Sequence, residues 1–318
     1  MFQQPAAIVR VLRAFSILLW LLNVWFGVVL LRRMQIKDEL TGVLVFGLIC
    51  LLPTYTFVSA AINNDNLLAT LGGAVLCLLA QRQPSWKTSL TLGLVLGLAL
   101  LTKQSAVIFF PAITLLPVFD AARKRLPWCA AIRHLALALG LATLIYLPWA
   151  LRNWRLYATL TPEYLSGDLI AGRSFLYGLA SAVHNLVKTF WSVSGVCNDV
   201  GYPFPLLGFG ALVLWVVGQQ TRATPERAVN PTNLKRNGPL LGAFLLALGF
   251  NLVLVLRFGY VSGMGQGRRL FPLLYAVALV LAAGWRKLPV KALGLWATGF
   301  WVIYTVSFTL FSLSRFPR

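Results

Sequence analysis

IVRVLRAFSILLWLLNVWFGVVLL, residues 8–31, is the stretch that decides the fold class. Its only charges, Arg10 and Arg13, sit at one end, and Arg32-Arg33 follow the other. About 17–25 such apolar residues cross a bilayer as one helix. The rest of the chain repeats the theme: about ten stretches read as spans, 8–31, 40–61, 66–81, 88–101, 105–119, 134–150, 204–218, 239–256, 269–285 and 290–312. Over 318 residues, 58% are hydrophobic, 11% are charged, and the mean hydropathy is +0.77. An average soluble domain is roughly a quarter charged, and one or two soluble cores cannot hide this much apolar surface. A soluble enzyme, a disordered chain and a disulfide-stapled secreted domain are excluded. The expected fold is all-α, a polytopic transmembrane bundle forming a single domain over 1–318.

The charge balance, 28 Lys+Arg against 8 Asp+Glu, gives +20. In a soluble chain that would suggest nucleic acid; in a membrane chain it sets topology, and no nucleic-acid partner is expected. Arg32, Arg33 and Lys37, then Arg82 and Lys87, then Arg123, Lys124, Arg125 and Arg133 fall in alternate connections. Arg222, Arg227, Lys235 and Arg236, then Arg286, Lys287 and Lys291, continue the set. The intervening connections are poor in bases: none lies between Pro53 and Asn66, and Lys103 alone marks the next crossing. The positive-inside rule makes the first set cytoplasmic. It leaves 151–203 as an extracytoplasmic segment with interfacial helices and 219–238 as a cytoplasmic linker.

This sidedness puts Met1 outside, although Arg10 and Arg13 mark that end. Either an upstream span precedes the chain, or two arginines are outvoted by the later loops. Spans 88–101 and 105–119 are short, and only Thr102, Lys103 and Gln104 divide them, so they read as two spans or as one run with a polar kink. Cys50, Cys77, Cys129 and Cys197 have no metal spacing, and His134 and His184 lack ligand-type neighbours, so no metal site on His or Cys is expected.

The chemistry concentrates in a few clusters. Asn63-Asn64-Asp65-Asn66 lies at the outer boundary between spans two and three. Asn and Asp cap helices. A carboxylate beside apolar spans can also serve as a base or a metal ligand, which leaves room for a divalent cation. Lys103, between two apolar runs, either snorkels to the headgroups or meets a phosphate. Arg152-Asn153-Trp154-Arg155 reads as an aromatic and arginine belt at a span end. Thr189 to Gly195, followed by Asn198-Asp199, reads as an interfacial helix ending in a turn. In Gly263-Met264-Gly265-Gln266-Gly267-Arg268-Arg269, glycines allow close backbone approach and two arginines can clamp phosphate oxygens. Taken together, Lys103, Arg152, Arg155, Arg268 and Arg269 are basic side chains on the face that should hold few. An anionic ligand at headgroup depth, a lipid phosphate or pyrophosphate, would satisfy them.

Asn63-Asn64-Asp65 before a small-residue span, and the run from Gly93 to Lys103, resemble polyprenyl-phosphate-sugar-dependent membrane glycosyltransferases of the GT-C superfamily. Arg152-Asn153-Trp154, Phe190-Trp191 to Gly195, and Gln266-Gly267-Arg268 with Leu270-Phe271-Pro272 resemble a bacterial branch of it, in the same order along most of the chain. The resemblance implies a multi-pass protein of the bacterial inner membrane that performs inverting sugar transfer on the extracytoplasmic face. The donor would be a polyprenyl-phosphate sugar and the acceptor an envelope glycan, lipid or protein. It implies Asp65 as the catalytic carboxylate, Lys103 facing the carrier phosphate, and Gln266 and Arg268 as carrier or acceptor ligands. Asn64, Arg152 and Arg269 complete the expected substrate-binding set. The family carries its main acid in a first outer loop, whereas here no acid precedes Asp38, which falls on the other side. Span one resembles the family's second span, so the chain is expected to lack the first span and first outer loop. A flippase for lipid-linked sugars and a non-catalytic membrane protein are the alternatives. The apparent confinement of polar groups to span ends speaks against a transporter.

Overall fold

A computed structural model of the chain describes residues 5–36, 42, 45–47, 49–50, 52–81, 85–160, 175–191, 231–262 and 266–285. Among these residues the regular structure is helical, with no strand. In chain order the helices are α1 (Pro5–Arg33), α2 (Pro53–Ala60), α3 (Asn64–Leu79), α4 (Trp86–Thr102), α5 (Phe110–Ala122), α6 (Trp128–Tyr157), α7 (Phe175–Trp191), α8 (Pro231–Ser262) and α9 (Leu274–Trp285). Two 3-10 segments, Gln104–Phe109 and Gly267–Leu273, lead into α5 and α9.

Four helical stretches are long and apolar enough to cross a membrane: Ala7–Arg33, Gln104–Ala122, Trp128–Tyr157 and Asn237–Val261. Helix α4 is apolar but shorter, and α2 and α3 meet at a bend of 112°. The expected stretches 204–218 and 290–312 lie outside the described residues. So do parts of 40–52 and, within the 151–203 segment, residues 161–174 and 192–203, whereas α7 and the end of α6 are described. Of the linker expected at 219–238, residues 231–238 belong to α8, and 219–230 lie outside the described residues. Helix α6 likewise runs past 150 to Tyr157, where Ala158 closes it in a left-handed conformation, φ 53°.

Helix α1 shows the solvent these helices are built for. Val11, Phe15, Leu18, Leu22 and Trp25, at alternating spacings of four and three, are exposed, while Ser16 and Asn23 are buried. A water-soluble helix does the reverse. Outward apolar and inward polar side chains suit a membrane protein, in which lipid covers the exterior.

Buried polar groups then have to find partners inside the bundle. Asn23 Nδ2 donates to Thr70 Oγ1 at 2.9 Å, and the Thr70 hydroxyl lies 2.9 Å from the Asn66 carbonyl. The Tyr275 hydroxyl donates to the Asn23 carbonyl at 2.5 Å and sits 2.9 Å from its Oδ1. This network ties α1, α3 and α9 together. It also corrects the expectation that polar groups keep to span ends: Asn23, Thr70 and Asn251 are buried within helices.

The short runs on either side of Lys103 form two helices. Lys103 is extended (φ −162°, ψ 130°), its N–H bonds back to Ala99, and the chain restarts in the 3-10 segment. Helix α5 returns so that Asp120, near its end, lines the same cavity as Thr88 at the start of α4. Helix α4 also packs along α6 in parallel register, with Ser89 against His134 and Gly93 against Ala138. A Cβ on Gly93 would meet the Ala138 carbonyl at 2.5 Å, so only glycine permits this approach. Gly140 on α6 faces open space. Gly93→Ala should therefore lower unfolding stability in detergent by about 1–3 kcal/mol, while Gly140→Ala should leave it unchanged or raise it by up to about 1 kcal/mol. Equal effects would contradict this packing.

Candidate functional site

Asp65 owes its position to its neighbours. Asn63 is the N-cap of α3, and its side chain accepts the Asp65 N–H at 2.9 Å. The Ala61 carbonyl, in the bend before α3, accepts from Asn66 Nδ2 at 2.9 Å and from Ser16 Oγ at 3.1 Å. Capping and function thus divide the Asn63–Asn66 cluster between them. Asn63 and Asn66 fix the turn, Asn64 is exposed, and Asp65 turns inward with 5% of its surface exposed. Its carboxylate also lies in the first turn of the helix, where the backbone N–H groups favour negative charge.

Lys103 reaches this carboxylate from the break between α4 and the 3-10 segment. Its Nζ lies 2.5 Å from Asp65 Oδ1. Arg268 approaches the other oxygen, with Nε 3.6 Å from Oδ2. The single Nε proton goes to Gln266 Oε1 at 2.6 Å, so Arg268 meets Asp65 as a charge rather than as a hydrogen-bond donor. Its Nη groups make no hydrogen bond among the described residues. The Lys103 and Arg268 side chains are 27% and 38% exposed, so the cluster opens outward through its cations.

The segment carrying Gln266 and Arg268 is wedged into place. The Gly267 N–H donates to Thr189 Oγ1 of α7 at 2.7 Å, and a side chain at Gly267 would collide with the Phe190 backbone. Asn251 Nδ2 of α8 donates to the Arg269 carbonyl at 3.1 Å. Phe271 packs edge-on against Tyr55 and lies 6.1 Å from the Phe190 ring. These contacts hold the strip against α2, α7 and α8 and aim Arg268 at α3.

Four of the sequence-derived candidates therefore come together: Asp65, Lys103, Arg268 and, through Arg268, Gln266. Three do not join them. Asn64 is exposed beside the cluster. Arg269 stacks its guanidinium 3.5 Å over the Phe258 ring. Arg152 shares the same end of the bundle, because α4 and α6 run parallel, yet it lies outward over Trp149 at 5.1 Å. With Arg155 it lines a shallow groove of about 430 Å³.

Sequence reasoning missed Ser16 and Asn251, which shape the site without facing it, and read Thr189 as the start of an interfacial helix rather than as the partner of Gly267. Asn251 had a usable signal: a lone amide in the apolar run 239–256 needs a buried partner. Among the described residues the carboxylates are Asp65 and Asp120, at opposite ends of the helices, and no group of three metal-ligating side chains occurs. One carboxylate facing two cations does not fit a divalent cation. Glu163, Asp168 and Asp199, in the segment expected to be extracytoplasmic, lie outside the described residues.

Comparison with family models, with curated proteins and with solved structures finds no match. The chemistry of the cluster has to be argued from its own geometry. A nearly buried carboxylate that loses its cation is costly, whereas losing both members together costs less. In a double-mutant cycle on unfolding stability, Asp65→Asn and Lys103→Gln should couple by about 1–3 kcal/mol. Additive effects would mean that the two side chains do not interact.

Proposed function

We propose that this chain is an integral-membrane glycosyltransferase that moves a sugar from a polyprenyl-phosphate carrier to an envelope glycan, lipid or protein. The observation that carries this reading is the convergence of Asp65, Lys103 and Arg268 from three distant parts of the chain onto one point. That point lies at the ends of apolar helices. A carboxylate with two partly exposed cations offers a proton acceptor and a phosphate cradle side by side, at the depth of a lipid headgroup. The resemblance of Asn63–Asp65, Gly93–Lys103 and Gln266–Pro272 to the GT-C superfamily supports the same reading, as does the expected ten-span arrangement.

In the proposed reaction the acceptor hydroxyl oxygen attacks the anomeric carbon and forms the new glycosidic bond. The bond from that carbon to the carrier phosphate breaks, and its electron pair leaves with the phosphate. Asp65 takes the hydroxyl proton. Lys103 and the Nη groups of Arg268 stabilise the charge gathering on the leaving phosphate. Lys103 plays two parts in this scheme. It neutralises Asp65 before the donor arrives and then turns to the phosphate, which frees the carboxylate to act as base. Gln266 holds the Arg268 side chain so that its remaining donors face the phosphate.

The alternation of basic loops supports placing this chemistry on the extracytoplasmic face of the bacterial inner membrane. Arg33, Lys87, Arg123, Lys124, Arg125 and Arg133 all fall at the opposite, Asp120 end. A flippase is less well supported, since Asn23, Thr70 and Tyr275, buried along the lengths of the described helices, are uncharged and hydrogen-bonded to one another.

Membranes containing the protein should transfer labelled sugar from a polyprenyl-phosphate donor. Asp65→Asn should lower the rate roughly 100-fold or more, and Lys103→Ala should do likewise. Transfer at the parental rate in both variants would remove the cluster from the mechanism. Movement of intact lipid-linked sugar across proteoliposomes without chemical change would favour the flippase.

A further inference from the structure

The opposite end of the bundle holds a second polar site that sugar transfer does not use. A cavity of about 300 Å³ opens where α3 ends, α4 begins, α5 ends, and α6 and α8 begin. That size falls at the lower end of small-ligand pockets. Leu116, Leu126 and Leu240 supply apolar wall, and Asp120, Arg125 and His134 supply polar groups. Trp86 and Trp128 stand exposed at the same end of the bundle, in the manner of tryptophans at a membrane interface.

The three polar groups have defined roles. Asp120 and Arg125 approach to 3.9 Å, which is beyond hydrogen-bond distance, so neither spends its donors or acceptors on the other. The Asp120 backbone carbonyl accepts from the N–H of Arg125 at 2.8 Å and of Leu126 at 3.2 Å, which locks the α5–α6 turn over the cavity. His134 is 8% exposed, and its Nδ1 lies 2.6 Å from Ser89 Oγ. Ser89 gives its one hydroxyl proton to the Ser85 carbonyl at 3.0 Å. With that proton on the carbonyl, the ring donates from Nδ1 and leaves Nε2 to accept.

We propose that this cavity binds the headgroup of a phospholipid carrying a primary ammonium. The ammonium donates to the Asp120 carboxylate and to Nε2 of His134. The phosphate pairs with the Arg125 guanidinium, and the acyl chains follow the apolar wall into the surrounding lipid. One carboxylate and one guanidinium match a zwitterion. An anionic headgroup without an amine would face Asp120 uncompensated, and a trimethylated ammonium has no N–H to donate to either acceptor. The lipid source rests on the apolar wall and on the position of the cavity at the helix ends. This site lies at the far end of the helices from Asp65 and stands or falls independently of sugar transfer.

The test uses the full chain purified in detergent, with lipid retention read by native mass spectrometry. Phosphatidylethanolamine, phosphatidylcholine and phosphatidylglycerol of identical acyl chains are added in turn. The ethanolamine lipid should bind about tenfold more tightly than either of the others, the worth of a charge-assisted hydrogen bond. Asp120→Asn should bring the three lipids to within about twofold of one another, and Arg13→Gln, at the other end of α1, should leave the preference intact. Equal retention of the ethanolamine and choline lipids by the unaltered protein would overturn the proposal without recourse to any variant. So would a preference that survives Asp120→Asn. Displacement of the lipid by free phosphoethanolamine at equal concentration would overturn the assignment to a lipid.

Discussion

A carboxylate with 5% of its surface exposed among apolar helices needs a cation, and Lys103 supplies it at 2.5 Å from Asp65. Much of the local architecture can be read as what that contact requires. The chain breaks at Lys103, in an extended conformation, so that the side chain leaves α4 toward the start of α3. The bend between α2 and α3 is tied down by Asn66 and Ser16, which keeps Asp65 within reach. The strip 266–273 is pinned by Thr189, Asn251 and a glycine that fits against Phe190, which brings Arg268 to the second oxygen.

The sequence made part of this legible. Residues 8–31 and 239–256 fall within α1 and α8, because an apolar run of bilayer length has few other ways to satisfy its backbone. Lys103 was visible as a break because a charged residue between two apolar runs is costly unless partnered. Asp65, Lys103 and Arg268 were each visible as polar groups at span ends and were expected around one phosphate, but which of the outer basic side chains meet was not legible, since sidedness carries no lateral information. The 112° bend, the 3-10 strip and the contact between Asn23 and Tyr275 depend on packing across 252 positions of sequence or fewer, which no local pattern encodes. Arg152 is the instructive miss. It stands at the expected end of the bundle, yet Trp149 offers its guanidinium a stacking face on the outside.

The two ends of the bundle use charge differently. At the Asp65 end one carboxylate is held by two cations, so the local balance favours a further anion. At the Asp120 end a loose carboxylate and guanidinium pair lines a cavity beside His134, and the local balance is neutral. A long apolar domain with a cationic cluster at one end and a polar cavity of balanced charge at the other presents two different chemistries at its two ends.

The most direct test of the central claim, that the Asp65 cluster holds a lipid-borne phosphate, is the binding of sugar-free polyprenyl phosphate to the purified chain. The account predicts that Arg268→Gln weakens binding about tenfold or more, while Arg152→Gln stays within about twofold of the unaltered protein. The opposite order, or binding indifferent to both, would contradict it.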